Sequence, residues 1–322
     1  MAAAARSSSI LRRSLLYVPA SSQKMLSKSL GLASDNVTYD LEDSVTPSLK
    51  PSARKQLRSH LASLSARPHS IAELAVRINA VSTSFALEDL TALAPTPLVD
   101  AIVVPKVETP ADLTFVTDVL RHVAPDRHAE GSSNPVKIVA LIESAKAIMD
   151  LAAICKASPY LSGLIFAAED FALDLSITRT PSLTEFLYAR SAIVTAARAA
   201  GLPSAIDLVC TSYKGEEGLK RLQDECAGGR AMGFNGKQCI HPNQVEMVQR
   251  MFAPAEEEVE WAVRVVIADE KAAASGRGAW TLDGKMIDAP VVGKARSVAA
   301  KAEQCGFDLP ALRNKWKDQQ PE

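Results

Sequence analysis

A chain of 322 residues with 36 Lys plus Arg against 37 Asp plus Glu has a formal net charge of -1, so no global field attracts a polyanion and no nucleic-acid partner is expected. Its five cysteines, Cys155, Cys210, Cys226, Cys239 and Cys305, form no C-x-x-C pair and no His/Cys group at zinc-ligand spacing, and read as reduced thiols of an intracellular protein. The apolar runs are too short to cross a bilayer, which predicts a soluble chain with no membrane partner.

Residues 1–13 are rich in Ala and Ser, include Arg6, Arg12 and Arg13, and contain no acid. This is the composition of a mitochondrial transit peptide, or else of an ordinary tail on a cytoplasmic protein. From Ser14 onward, short β-branched runs alternate with segments of helical period, the mark of parallel βα units. Strands are expected at residues 14–18, 37–40, 74–78, 101–104, 137–141, 163–167, 204–208 and 236–240, with helices at 22–33, 111–123, 145–156 and 184–200 among those between them. Eight strands close a TIM (β/α)8 barrel over residues 14–252; a doubly wound open sheet is the rival. The polar stretch 126–135 reads as a surface loop.

Beyond the barrel, a helix is expected at 254–274, with Glu256, Glu257 and Glu258 at its positive end. Asp283-Gly284 between apolar runs signals a hairpin, and a helix at about 291–302 follows. This extension, residues 253–322, is short for a domain, so it is expected to lie over the barrel or a neighbouring subunit without a core of its own.

The expected strand ends are rich in chemistry: Tyr17; Asp40, Glu42 and Asp43; Arg77 and Asn79; Lys106; Glu143; Glu169 and Asp170; Asp207; and His241. In a TIM barrel these ends converge on one face, where active sites are built. Each residue alone also suits a cap or a packing role; their recurrence points to a single polar site. Glu143 and Asp170, read as ends of consecutive strands with no Cys or His nearby, are hard oxygen ligands that suit Mg²⁺. The alternative is a helix cap at Glu143 and a salt bridge at Glu169 or Asp170.

Arg77 ends an apolar strand, an expensive place for a charge unless it meets anions. It suits bidentate binding of a carboxylate, stabilisation of an enolate oxygen, or a structural pair with Glu42 or Asp43. Lys106 adds positive potential balanced by the acids, rather than a Schiff-base amine. His241, just before Pro242, reads more as a loop anchor with its backbone toward substrate than as a base. No glycine-loop signature for dinucleotides or nucleoside triphosphates is present.

In order, Arg12-Arg13-Ser14-Leu15-Leu16-Tyr17-Val18-Pro19, Asp40-Leu41-Glu42-Asp43-Ser44-Val45, Val76-Arg77-Ile78-Asn79, Pro105-Lys106-Val107-Glu108, Leu141-Ile142-Glu143-Ser144 and Ala168-Glu169-Asp170 form a series. It continues through Leu187-Tyr188-Ala189-Arg190, residues 233–242 and residues 282–288. The series resembles the citrate lyase beta-like/malyl-CoA lyase family of the HpcH/HpaI aldolase superfamily, from Arg12 to about Cys305. The resemblance implies a Mg²⁺-dependent carbon–carbon lyase that cleaves a 3-hydroxyacyl-CoA, with (S)-citramalyl-CoA giving pyruvate and acetyl-CoA as first choice. Malyl-CoA lyase, malate synthase-like and citryl-CoA lyase activities are the alternatives, and a CoA-binding assembly subunit is the non-enzyme one.

By the same resemblance, Glu143 and Asp170 hold Mg²⁺, Arg77 binds the oxo-acid end, and Tyr17, Lys24 and Lys28 contact substrate or the CoA phosphates. Ile240 and His241 present backbone to substrate, while Asp40, Glu42, Asp43 and Lys106 support the site. Asp288 is implied as the catalytic acid/base, delivered across the subunit interface of a homotrimer or homohexamer. The sequence departs at Ala167 or Ala168, where relatives often have Gly and a methyl narrows the site, and at Ala20, which replaces a frequent Gly.

Overall fold

The computed structural model describes residues 10–322, so residues 1–9 of the expected leader lie outside the described residues. Eight strands follow the chain: β1 (Ser14–Pro19), β2 (Asn36–Asp40), β3 (Glu73–Arg77), β4 (Ala101–Val104), β5 (Lys137–Ile142), β6 (Leu161–Phe166), β7 (Ser204–Asp207) and β8 (Gly236–Cys239). Every expected strand is present, with ends shifted by no more than a residue or two. Each pairs in parallel with its sequence neighbour, and β1 closes on β8 through Ser14 with Lys237, Leu15 with Gln238 and Leu16 with Cys239. Closure excludes the open sheet.

The strands alternate in facing. Leu15, Ala75, Ala101, Val103, Val139, Leu141, Ile165 and Ile206 fill the barrel interior. Residues between them, such as Leu16, Val76, Ile102 and Leu164, pack outward beneath the helices. Burial on both faces explains why these strands read as continuous apolar runs.

The helices depart further from the sequence reading. The first spans only Gln23–Ser29, capped by Ser22. The helix expected at 145–156 breaks at Asp150 into Ala145–Met149 and Leu151–Ile154, where the Asp150 backbone leaves the helical region at φ −109° and ψ 12° and its N–H is shared between the carbonyls of Lys146 and Ala147. The one expected at 184–200 starts as a 3₁₀ turn, Thr184–Phe186, before Leu187–Ala199. The polar stretch after residue 124 opens with a helical turn, Pro125–His128.

Arg12 occupies the amino-terminal end of the barrel. Its Nε and Nη2 each donate to Glu73 at 2.7 Å, Nη1 donates to the Ser162 carbonyl at 3.0 Å and Ser204 Oγ at 3.3 Å, and Nη2 also donates to Ser162 Oγ at 2.9 Å. These bonds use all five N–H groups of a guanidinium that is fully buried. A Cβ on Gly236 would come within 2.0 Å of the Arg12 carbonyl, so only glycine admits this approach of β8. Arg13 pairs with Asp35 at 2.8 Å. Both arginines are therefore structural parts of the barrel.

Residues Ala253–Glu322 form a second compact unit. It contains the helix Glu256–Ala274, strands β9 (Trp280–Leu282) and β10 (Lys285–Ile287), the helix Ala289–Gln304 and the helix Leu309–Lys315. The expected hairpin is present, turned by Asp283 and Gly284 at φ 52° and 71°. Contrary to the expectation, this unit has a core: Trp280, Leu282 and Ile287 pack with Ala262, Val265 and Ala268 of the first helix and Val292 and Ala295 of the next. One indole and the alternating face of a hairpin supply the apolar area that length alone did not promise. No helix among the described residues is long and apolar enough to cross a membrane.

Candidate active site

At the carboxyl ends of β2 and β3, Asp40 and Arg77 are register partners. Arg77 Nε and Nη2 grip the two Asp40 oxygens at 2.7 Å each. Glu42 and Asp43, the partners considered from sequence, hold only Nη1, at 3.2 and 3.4 Å. Direct cross-strand pairing gives Asp40 the fork. Burial works to raise the Asp40 carboxyl, but the Arg77 pair and the N–H groups of Ser44 and Glu42 prevail and hold it below the ordinary carboxylate range. The guanidinium lies 4.6 Å from the centroid of the Tyr17 ring, and burial pushes the Tyr17 phenol well up. Arg77→Lys is expected to keep the charge yet lose the fork, lowering kcat/KM about 10- to 100-fold with little change in fold, as steady-state kinetics and circular dichroism would register. A wild-type kcat/KM would deny the fork a role.

Glu42 bridges two cations, reaching Lys106 Nζ at 2.8 Å as well as Arg77. Lys106 is held at φ 51°, a strained backbone for a side-chain-bearing residue, with its N–H donating to Glu143 Oε1. Its Nζ also lies 3.9 Å from both Asp43 and Asp170.

Two residues that the sequence reading missed support this arrangement. Lys50, buried in the helix Lys50–Ala62, donates to the carbonyls of Leu41 and Glu42 at 3.0 and 2.9 Å and to Asn79 Oδ1, tying down the loop after β2. Gln238 of β8 accepts from Tyr17 at 3.0 Å and donates to the Phe166 and Asp207 carbonyls at 2.8 and 3.2 Å. Its local signal is a polar side chain within a short strand that is buried throughout.

Glu143 follows β5 directly and is 6% exposed. Burial, with repulsion from Asp170 and Glu42, lifts its carboxyl to about 8 against the Lys106 N–H. Asp170 lies in the first turn of the helix Ala168–Leu175, four residues past the end of β6 rather than at the strand end where the sequence placed it. Both carboxylates border two adjoining cavities of about 480 and 430 Å³. Among the described residues no group of three or more His, Cys, Asp or Glu is poised to hold a metal. Two hard oxygen donors do fit Mg²⁺, which takes one or two carboxylates and leaves positions for water and substrate. A buried carboxylate raised by a neighbouring one is a donor pair that a cation would relieve.

The smaller cavity is walled by Tyr17, Asp40, Asp43, Arg77, Ala167 and Ile240 with the carboxylate pair. The backbone N–H groups of Ile240 and His241 both donate to Gln244 Oε1, at 2.9 and 3.3 Å, so these two N–H groups are engaged inside the protein. Ile240 offers its side chain instead. His241 stacks on Tyr213 at 4.9 Å and accepts from the Asn243 N–H, as a loop anchor does. Lys24 and Lys28 stand exposed one turn apart on their helix and line neither cavity.

Other strand-end residues are structural. Asp207 faces outward into a buried bidentate pair with Arg190, Glu169 pairs with Arg179, and Asn79 bonds Asp89. Asp288, in the second unit, caps the helix Ala289–Gln304 by accepting from the Val291 N–H at 3.2 Å.

The family described as HpcH/HpaI aldolase/citrate lyase matches residues 13–242. The chain is 35% identical over 302 residues to "Citramalyl-CoA lyase, mitochondrial" of Homo sapiens, covering 91% of this chain and 86% of the relative. It is 37% identical over 297 residues to the citrate lyase subunit beta of Escherichia coli (strain K12), covering 92% and 95%. Among solved structures, CitE from Mycobacterium tuberculosis in complex with magnesium, acetoacetate and coenzyme A aligns with a TM-score of 0.70 at 30% identity, over 91% of this chain and 98% of that one. A match that runs through all eight strands of the closed barrel, and continues into the second unit, places this protein in the HpcH/HpaI aldolase/citrate lyase family as a carbon–carbon lyase.

Proposed function

We propose that the protein cleaves a 3-hydroxyacyl-CoA with the help of Mg²⁺, and that (S)-citramalyl-CoA, giving pyruvate and acetyl-CoA, is its preferred substrate. The observation that carries this reading is the juxtaposition of the Asp40-gripped Arg77 with the Glu143–Asp170 pair around one cavity. Support for CoA and an oxo acid as ligands comes from the M. tuberculosis CitE complex, and for citramalyl-CoA from the name of the human relative. The mitochondrial name of that relative also supports a mitochondrial location.

Glu143 and Asp170 would hold the ion, which would supply Lewis-acid polarisation to the substrate. The hydroxyl proton passes to water in the cavity as the carbon–carbon bond breaks, and the bonding electrons move onto the thioester as an enolate, which takes up one proton at carbon in the next step. Arg77, its charge secured by Asp40, orients the oxo-acid end and stabilises the developing oxyanion. Lys106 and Glu42 balance charge beside it. Asp288, supplied by a neighbouring subunit of a homotrimer or homohexamer, protonates the enolate carbon to release acetyl-CoA and removes that proton in the reverse direction. Tyr17 and the exposed Lys24 and Lys28 serve the CoA arm.

Malyl-CoA is the nearest competing substrate, since glyoxylate and pyruvate differ by a methyl worth only ~1–3 kcal/mol. The Ala167 methyl lines the cavity and narrows the wall that must discriminate them. Citramalyl-, malyl- and citryl-CoA, each supplied with and without Mg²⁺ and followed by product identification, test the reading. The expected result is Mg²⁺-dependent release of pyruvate and acetyl-CoA with the highest kcat/KM. Equal turnover in a chelator overturns the metal dependence, and a higher kcat/KM with malyl- or citryl-CoA overturns the substrate.

A further inference from the structure

We propose that Arg264 is a positioning residue for Asp288, clamping the β9–β10 hairpin from its tip; this rests on the reading of Asp288 as the acid/base. A two-stranded hairpin with three residues per strand has little stability of its own. Its inner face is anchored by Trp280, Leu282 and Ile287, while Lys285 and Met286 are exposed. Asp288 directly follows Ile287 in extended backbone, so any tilt of the hairpin displaces its carboxylate.

The tip is held by a single guanidinium. Arg264 Nη1 and Nη2 reach the two Asp283 oxygens at 2.8 and 2.7 Å, Nε donates to Gln319 Oε1 at 2.8 Å, and the group lies 4.7 Å from the Trp316 ring centroid. The segment carrying Gln319 and Trp316 is itself fastened. Lys271 Nζ donates to the carbonyls of Lys317 and Gln319 at 2.9 and 2.7 Å, and the Trp316 indole donates to Glu260 at 2.7 Å. Thr281 and Glu322 exchange backbone hydrogen bonds at 3.1 and 3.0 Å, so the same segment pairs with the free edge of β9.

Asp288 is thus fixed at both ends of its hairpin. Oδ1 accepts from the Val291 N–H as a helix cap, whereas Oδ2 accepts no hydrogen bond among the described residues and remains available to carry a proton. In the Arg264–Asp283 pair the Asp283 side chain is 54% exposed and the Arg264 side chain 19%, and an ion pair open to solvent on its acid side adds little to folding stability. Breaking it is therefore expected to move Asp288 more than to unfold the unit.

The test uses the full chain and compares Arg264→Gln, Arg264→Lys, Asp283→Asn and Asp288→Asn. Three quantities are measured: kcat and KM for acyl-CoA cleavage, exchange of the acetyl-CoA methyl protons with D₂O by mass spectrometry, and Tm. Arg264→Gln and Asp283→Asn are expected to lower kcat and exchange about tenfold or more with KM and Tm nearly unchanged, as misplacement of a reacting group does. Arg264→Gln combined with Asp283→Asn should be no worse than either single variant, and Arg264→Lys should recover part of the loss. Loss of exchange in Asp288→Asn with wild-type kcat and exchange in Arg264→Gln overturns the clamp alone. Wild-type exchange in Asp288→Asn overturns the acid/base reading and the clamp with it. Should Arg264→Gln lower Tm substantially, Asp283→Asn decides, because it leaves the Gln319 and Trp316 contacts in place.

Discussion

Glu143→Gln is expected to lower turnover by about three orders of magnitude and to weaken divalent-cation binding in parallel, with Asp170→Asn close behind. The amide keeps the shape of the carboxylate and can still accept from the Lys106 N–H, so what is lost is charge at a nearly dry position. Lewis-acid stabilisation is worth several kcal/mol, and ~4 kcal/mol corresponds to a thousandfold. Binding is measured separately from catalysis by electron paramagnetic resonance of Mn²⁺ titrated into each variant. Wild-type Mn²⁺ affinity in both variants would remove the pair from the metal site, whatever the turnover.

The sign of the pH effect follows from the same geometry. The Glu143 carboxyl is lifted to about 8 by burial and its acidic neighbours, so protons compete with the ion at and below neutral pH. Apparent Mn²⁺ affinity should rise with pH up to about 8.

Arg12→Met is expected to cost about 3–5 kcal/mol, the loss seen when one partner of a buried ion pair is removed. Glu73 would be left charged at the barrel's amino-terminal end with only Asn36 Nδ2 donating to it, at 2.7 Å, and the Ser162 carbonyl would lose its donor. For a chain of this size Tm should fall by roughly 10 °C, read by calorimetry, with the kcat of the surviving fraction unchanged. Arg12→Met combined with Glu73→Met should recover part of the loss, because both charges are then gone. An unchanged Tm for Arg12→Met would show the pair to be dispensable. The same reasoning constrains processing: a leader cut that spares Arg12 leaves the barrel intact, whereas a cut after Arg13 removes the ligand of Glu73.

Within residues 1–13, Arg12 shows what local composition does not carry. An N-terminal arginine without neighbouring acids looks like targeting, yet Glu73, the acid that fixes Arg12, lies 61 residues along the chain. The helix at 145–156 failed on a smaller scale, since the backbone at Asp150 leaves the helical region at φ −109° and ψ 12°, which periodicity does not register. For 253–322, length predicted no core, and Trp280 packed against two helices made one.

The sequence by itself determined the eight strands, the hairpin turn at Asp283-Gly284 and the candidacy of Arg77, Glu143 and Asp170, because strand period, turn chemistry and strand-end residue type are local properties. Only the tertiary structure decided partners. Asp40 rather than Glu42 or Asp43 takes the Arg77 fork because β2 and β3 pair in that register. Gln238 enters the site because barrel closure brings the last strand beside the first, and Lys50 because its helix folds back on the loop after β2 and meets Asn79 after β3. Each of these choices depends on the spatial meeting of groups whose chemistry is visible in the sequence but whose competition for one another is settled only by register, closure and packing.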